Sequence, residues 1–157
     1  MPEPSYGLPE LASEAWIKEL NSKKRAKVMT PSVARKMQKV LEALDEAGIL
    51  EQEKALLKKE KKDKEAEAKD KEIAKAVANG QRELDGLKPR LASLKSYDRS
   101  MYYYYQSYYN LAYQDKISDA IINYINVVNE EDTTEKLRVE AYYVLALSLI
   151  HISEPTR

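Results

Sequence analysis

From Thr30 onward, apolar residues come and go in blocks, and their spacing is helical throughout. Val33, Met37, Val40, Leu41 and Leu44 fall at i, i+4, i+7, i+8 and i+11, which places them on one helix face. Thr30 supplies an N-cap and Pro31 fits the first helical position, where its missing N–H costs nothing. Gly48 then reads as a C-terminal stop, within an amphipathic segment spanning 30–57. Upstream, residues 1–12 are rich in proline, and a short helix from Ser13 to Ser22 is expected to bury Trp16, Ile17 and Leu20. The basic run Lys23, Lys24, Arg25 and Lys27 reads as a solvated hinge.

Between Lys58 and Glu72 nothing apolar exceeds alanine, although Glu60 with Lys64, Glu65 with Lys69 and Glu67 with Lys71 have the favourable i,i+4 order. The segment therefore reads as a charged helical or flexible spacer, and the lack of an apolar seam argues against a coiled coil. Apolar content returns at Ile73, Val77, Leu84, Leu87, Leu91 and Leu94. Gly80, Gly86 and Pro89 interrupt it, predicting short helices rather than one rod.

Residues 73–146 hold the most informative pattern. Eleven of the twelve tyrosines lie between Tyr97 and Tyr143, and phenylalanine is absent. On a helix, Tyr102, Tyr105, Tyr109 and Tyr113 form one stripe, and Met101, Tyr104, Tyr108 and Leu111 form a second. A turn at Asp115-Lys116 follows, then a helix with Ile117, Ala120, Ile121, Tyr124, Ile125 and Val128 on one face. Asp132 and Glu135 stand at capping-box spacing before a third helix carrying Leu137, Ala141, Val144 and Leu145. The predicted fold class is all-α, built from antiparallel helix pairs.

Composition narrows the chemistry. Lys plus Arg and Asp plus Glu are both 26, so no overall field draws the chain to nucleic acid or an anionic membrane. The tyrosine stripe could stack bases, but no Lys or Arg interleaves it between Tyr102 and Tyr113. No apolar run is long enough to span a bilayer, and the acidic, proline-bearing start is unlike a signal peptide. A cytoplasmic location or a missing start is expected on that basis. Cysteine is absent, and His151 is the single histidine. No metal, cofactor or catalytic residue is therefore expected. Glu130, Glu131 and Asp132 are read as solvated loop acids, since consecutive side chains point in different directions.

The layout helix, turn, helix, then a second aromatic-rich first helix resembles the tetratricopeptide repeat. Setting Ala120 on that repeat's second-helix alanine puts Tyr104 and Leu111 on its first-helix positions and Tyr124 on its second-helix aromatic. The small position then receives Tyr108, or Ser107 if the turn is one residue short. The resemblance implies an α-solenoid scaffold that recruits a protein or peptide and performs no chemistry. It places Tyr102, Tyr105, Tyr109 and Tyr113 on the partner-binding face. The same stripe could instead fill core against Val33 to Leu44. A purely structural spacer, or a nucleic-acid-binding module, is the rival function.

Within 23–146, the motifs TP at Thr30, SYDR at Ser96 and DAI at Asp119 are similar to extracytoplasmic tetratricopeptide proteins associated with TonB-type energy transduction in Gram-negative bacteria. That likeness implies a periplasmic location if the N-terminus is incomplete. Residues 147–157, LSLIHISEPTR, resemble the translation of a sequencing adapter, which would make His151 foreign and cut the third helix at about Ala146. One repeat and half of another would then remain, and the chain alone is expected to be marginally stable.

Overall fold

A computed structural model describes residues 28–153, with side chains through residue 150; the basic run and the expected helix at 13–22 lie outside the described residues. Among the described residues the architecture is all-α: α1 (Pro31–Lys59), α2 (Asp63–Leu87), a 3₁₀ turn (Lys88–Ser93), α3 (Ser96–Ala112), α4 (Ile117–Asn129) and α5 (Glu135–Ser153).

α1 and α2 form an antiparallel hairpin, as the pairings Lys54–Asp70, Lys69–Glu53 and Lys36–Glu83 establish. Val33, Met37 and Val40 are buried as their spacing predicts, whereas Leu41 is 41% exposed. Gly48 does not end α1. The helix continues through LEQEKALLKK, whose residues are mostly strong helix formers, and no side chain crowds the glycine. The stop falls instead at Lys61, whose φ of 60° is left-handed. Lys62 N–H closes the turn on the Leu57 carbonyl at 2.8 Å, the long bond of a Schellman motif with Lys61 where glycine is usual.

The expected spacer is therefore a hairpin turn and the first turns of α2. Its acidic start, Asp63 and Glu65, suits a helix N-terminus, and Ala66 is buried. The interruption expected at Gly80 and Gly86 does not occur either. α2 is one 25-residue helix, and Pro89 ends it by opening the 3₁₀ turn.

α4 buries Ala120, Tyr124 and Val127, against which Leu137, Val144 and Leu145 of α5 pack, together with Tyr103 and Tyr104 of α3. The Asp132 and Glu135 capping box is not formed. Thr134 caps α5 instead, its Oγ1 accepting from Leu137 N–H at 3.1 Å. The Asp132 N–H turns away to Ser96 Oγ at 3.0 Å. α5 runs from Glu135 to Ser153. No helix among the described residues is long and apolar enough to cross a membrane.

Candidate functional site

α3 is the element all others share, and its circumference divides into three strips. The first is the tyrosine stripe. Tyr102 and Tyr109 are buried in the cluster that contains Val33, Met37, Val40, Val77, Leu84 and Leu87, while Tyr105 and Tyr113 are half-buried against it. Tyr109 enters the hairpin itself: its hydroxyl donates to the Val40 carbonyl at 3.2 Å. A Cβ on Gly80 would stand 1.9 Å from that hydroxyl, so glycine is required here by close approach. The four residues expected to face a partner thus lie against α1 and α2. A ring that is both broad and apolar is more stable in this slot than in water, and its one hydroxyl finds a carbonyl.

The second strip faces α4 and α5. Ser107 is fully buried, its hydroxyl donating to the Tyr103 and Tyr104 carbonyls, and it fills the small position next to Tyr124. Tyr108 is 40% exposed and Leu111 39% exposed, so neither holds the interior place that the repeat alignment gave it. Burial, and then a hydrogen bond to Glu140, push the Tyr104 phenol well above its ordinary range. Burial likewise pushes the Tyr124 phenol up to about 12, with the Glu140 charge adding and the Ser107 hydrogen bond opposing. Neither phenol is a usable base near neutrality.

Between these two lies the third strip, which is polar. Gln106 and Asn110 of α3, with Gln114 just past its end, border a groove of about 500 Å³ whose other walls come from Gln81 and Asp85 of α2 and Asn123 of α4. The carboxamides form one directed chain. Asn123 donates to Asn110 at 3.0 Å, Asn110 to Gln114 at 2.8 Å, and Gln114 to Gln81 at 2.9 Å. Gln81 and Gln106 exchange bonds of 2.7 and 3.0 Å, and Gln81 also donates to Asp85 at 2.9 Å. Tyr102 and Tyr103 add aromatic wall, and Asp85, Asp119, Lys88 and Lys116 give two acids and two bases. Sequence reasoning missed this strip. Its signal was present, because Gln106, Asn110 and Gln114 recur every four residues beside the tyrosines, but the larger aromatic pattern masked it.

A buried polar latch holds α3 in place. Asp98 is fully buried and accepts from Thr30 N–H at 3.2 Å and Thr30 Oγ1 at 2.7 Å. Thr30 does precede α1 as expected, and its carbonyl accepts from Ala34 N–H at 2.8 Å. Its hydroxyl, however, makes no cap and is committed to Asp98. Next along, Arg99 Nε lies 3.0 and 3.1 Å from the two Glu130 carboxylate oxygens, and its other arm reaches the Leu94 carbonyl. Ser96 Oγ donates to Glu130 at 3.1 Å. The loop acid Glu130 is thereby a structural tie between α3 and the α4–α5 loop. Groups of His, Cys, Asp or Glu arranged to hold a metal ion are absent among the described residues.

Among the described residues the molecule is thus an all-α frame that carries a carboxamide-lined groove. Comparison with known proteins adds no relative: no family model, no curated protein and no solved structure matches the chain.

Proposed function

We propose that the chain is a protein-interaction scaffold that takes a segment of another protein into the groove between α2, α3 and α4 and performs no chemistry on it. The observation that carries this is the chain of carboxamides from Asn123 to Gln106, set in a groove of about 500 Å³, a size suited to a short segment. Carboxamides neither titrate near neutrality nor act as nucleophiles, and a set of them offering both donors and acceptors suits recognition of polar groups. The pairing of α3 with α4, followed by α5, supports the tetratricopeptide-like reading of this half of the chain.

The bond between Thr30 and Asp98 links two motifs, TP and SYDR, on which the likeness to TonB-associated scaffolds rests, and supports taking them as one unit. The binding face differs from the one first expected. Tyr102 contributes as a wall of the groove, while Tyr105, Tyr109 and Tyr113 hold α3 against the hairpin.

The experiment is selection of binders to the full chain from a displayed random-peptide library, with competition by Gln106→Leu and Asn123→Leu variants. Peptides retained by the native chain and lost by both variants, with helicity unchanged, are the expected result. A purely structural spacer would retain none.

A further inference from the structure

The hydrogen-bond bookkeeping of the groove defines its ligand more closely. A carboxamide offers two N–H donors and two acceptor sites. Gln81 has committed both donors, to Asp85 and Gln106, and accepts from Gln106 and Gln114, so it is saturated. Gln106, Asn110 and Gln114 each donate once and accept once within the chain, and Asn123 donates once. Gln106, Asn110 and Gln114 therefore each retain one donor and one acceptor site, the complement that every peptide unit carries, and Asn123 retains one donor and both acceptor sites.

The spacing agrees with this. Residues four apart on a helix are separated by about 6 Å along its axis. Alternate residues of an extended strand are separated by about 6.7 Å, and these are the residues whose N–H and C=O point to the same edge. Gln106 and Asn110, one turn apart, can thus each serve every second residue of an extended chain laid along α3. A helical ligand has its backbone groups engaged internally and would leave the carboxamides without partners. Charge does not choose the ligand, because Asp85 and Asp119 are matched by Lys88 and Lys116.

Resting on the peptide-groove reading above, we infer that the groove recognises the main chain of an extended peptide through its carboxamides, independent of any charged side chain. The same edges could pair with adenine, but two lysines offset by two aspartates give phosphates no net attraction.

The test uses the full chain and the strongest peptide from the random library, resynthesised with single backbone amide-to-ester replacements that remove one N–H at a time. Esters at alternate residues should each weaken binding about fivefold, the value of one hydrogen bond, with the intervening positions unchanged. Alanine replacements and added salt should change affinity by less than about twofold. Loss confined to one side chain, with esters tolerated everywhere, would overturn main-chain recognition while leaving peptide binding intact. Salt-sensitive binding of an oligoadenylate in place of any peptide would overturn both. So would finding no peptide that the Gln106→Leu variant releases while still melting like the native chain.

Discussion

The α1–α2 hairpin and the α3–α5 layer solve the same problem, holding helices together, with opposite materials. Along the hairpin no buried residue is aromatic: the small Ala43, Ala47, Ala66, Ala76 and Gly80 stand among the aliphatic Val33, Met37, Val40, Leu50, Val77, Leu84 and Leu87. Outside them run ion pairs such as Lys54–Asp70, which on an exposed face contribute roughly 0–1 kcal/mol each. The α3–α5 layer instead buries Tyr102, Tyr109 and Tyr124, ties its α4–α5 loop to α3 through Glu130, and fastens α3 to the start of α1 through Asp98. The difference explains how the two join. A seam of small residues leaves a slot at Gly80 that one large ring, Tyr109, can enter.

The largest expected effect comes from emptying that slot. Tyr109→Ser should cost about 3–5 kcal/mol in urea denaturation, the range for deleting a large buried aromatic. A change within about 0.5 kcal/mol would place the ring on an open surface instead. Gly80→Ala narrows the slot from the other side and should cost about 1–3 kcal/mol, because the new methyl meets the Tyr109 hydroxyl and the Ala43 methyl. Combining it with Tyr109→Ser should show strong non-additivity, since the closer clash, with the Tyr109 ring, is then gone and only the Ala43 contact remains.

A smaller loss, about 1–2 kcal/mol, is expected for Asp98→Ala, which leaves the Thr30 N–H and hydroxyl without their acceptor. Thr30→Val should cost a similar amount and the double variant little more. The smallest effect at neutral pH concerns the phenols. Tyr124 titrates near 10 when unfolded and is pushed up to about 12 by burial. Its contribution is thus whole below pH 10 and is lost as pH rises toward 12. Denaturation followed by tyrosinate absorbance should show stability falling over that interval. The described part of the hairpin holds no tyrosine, so the loss should begin in the α3–α5 layer.

How much of this was legible in the sequence depended on whether a pattern was local. The apolar spacing of Val33, Met37 and Val40, the Ala120 and Tyr124 positions of α4 and the turn near Asp115 follow from periodicity and turn chemistry alone, whereas Ile125, expected on the same α4 face, is 42% exposed and Val127, not expected there, is fully buried. Gly48 and Gly80 misled for one reason: a glycine within a long run of good helix formers costs only about 1 kcal/mol, which hairpin packing offsets. The charged segment from Lys58 to Glu72 reads as a spacer because nothing apolar in it exceeds alanine, yet it forms the hairpin turn and the start of α2, with Ala66 alone of its residues buried. The Thr30–Asp98 bond spans 68 positions, a separation no local rule reaches. The groove was illegible for another reason. Its Gln and Asn residues have helical spacing on α3, but their partners Gln81 and Asn123 come from α2 and α4, and only the fold brings them together.

The most direct measurement is an NMR titration of the side-chain carboxamide signals with the selected peptide. The expected result is saturable shifts at Gln106, Asn110, Gln114 and Asn123, with the Tyr109 ring and the Thr30 amide unmoved. Shifts confined to the outer face of α5, where Val139, Tyr142 and Tyr143 are 58%, 56% and 65% exposed, would contradict it and relocate binding to that helix.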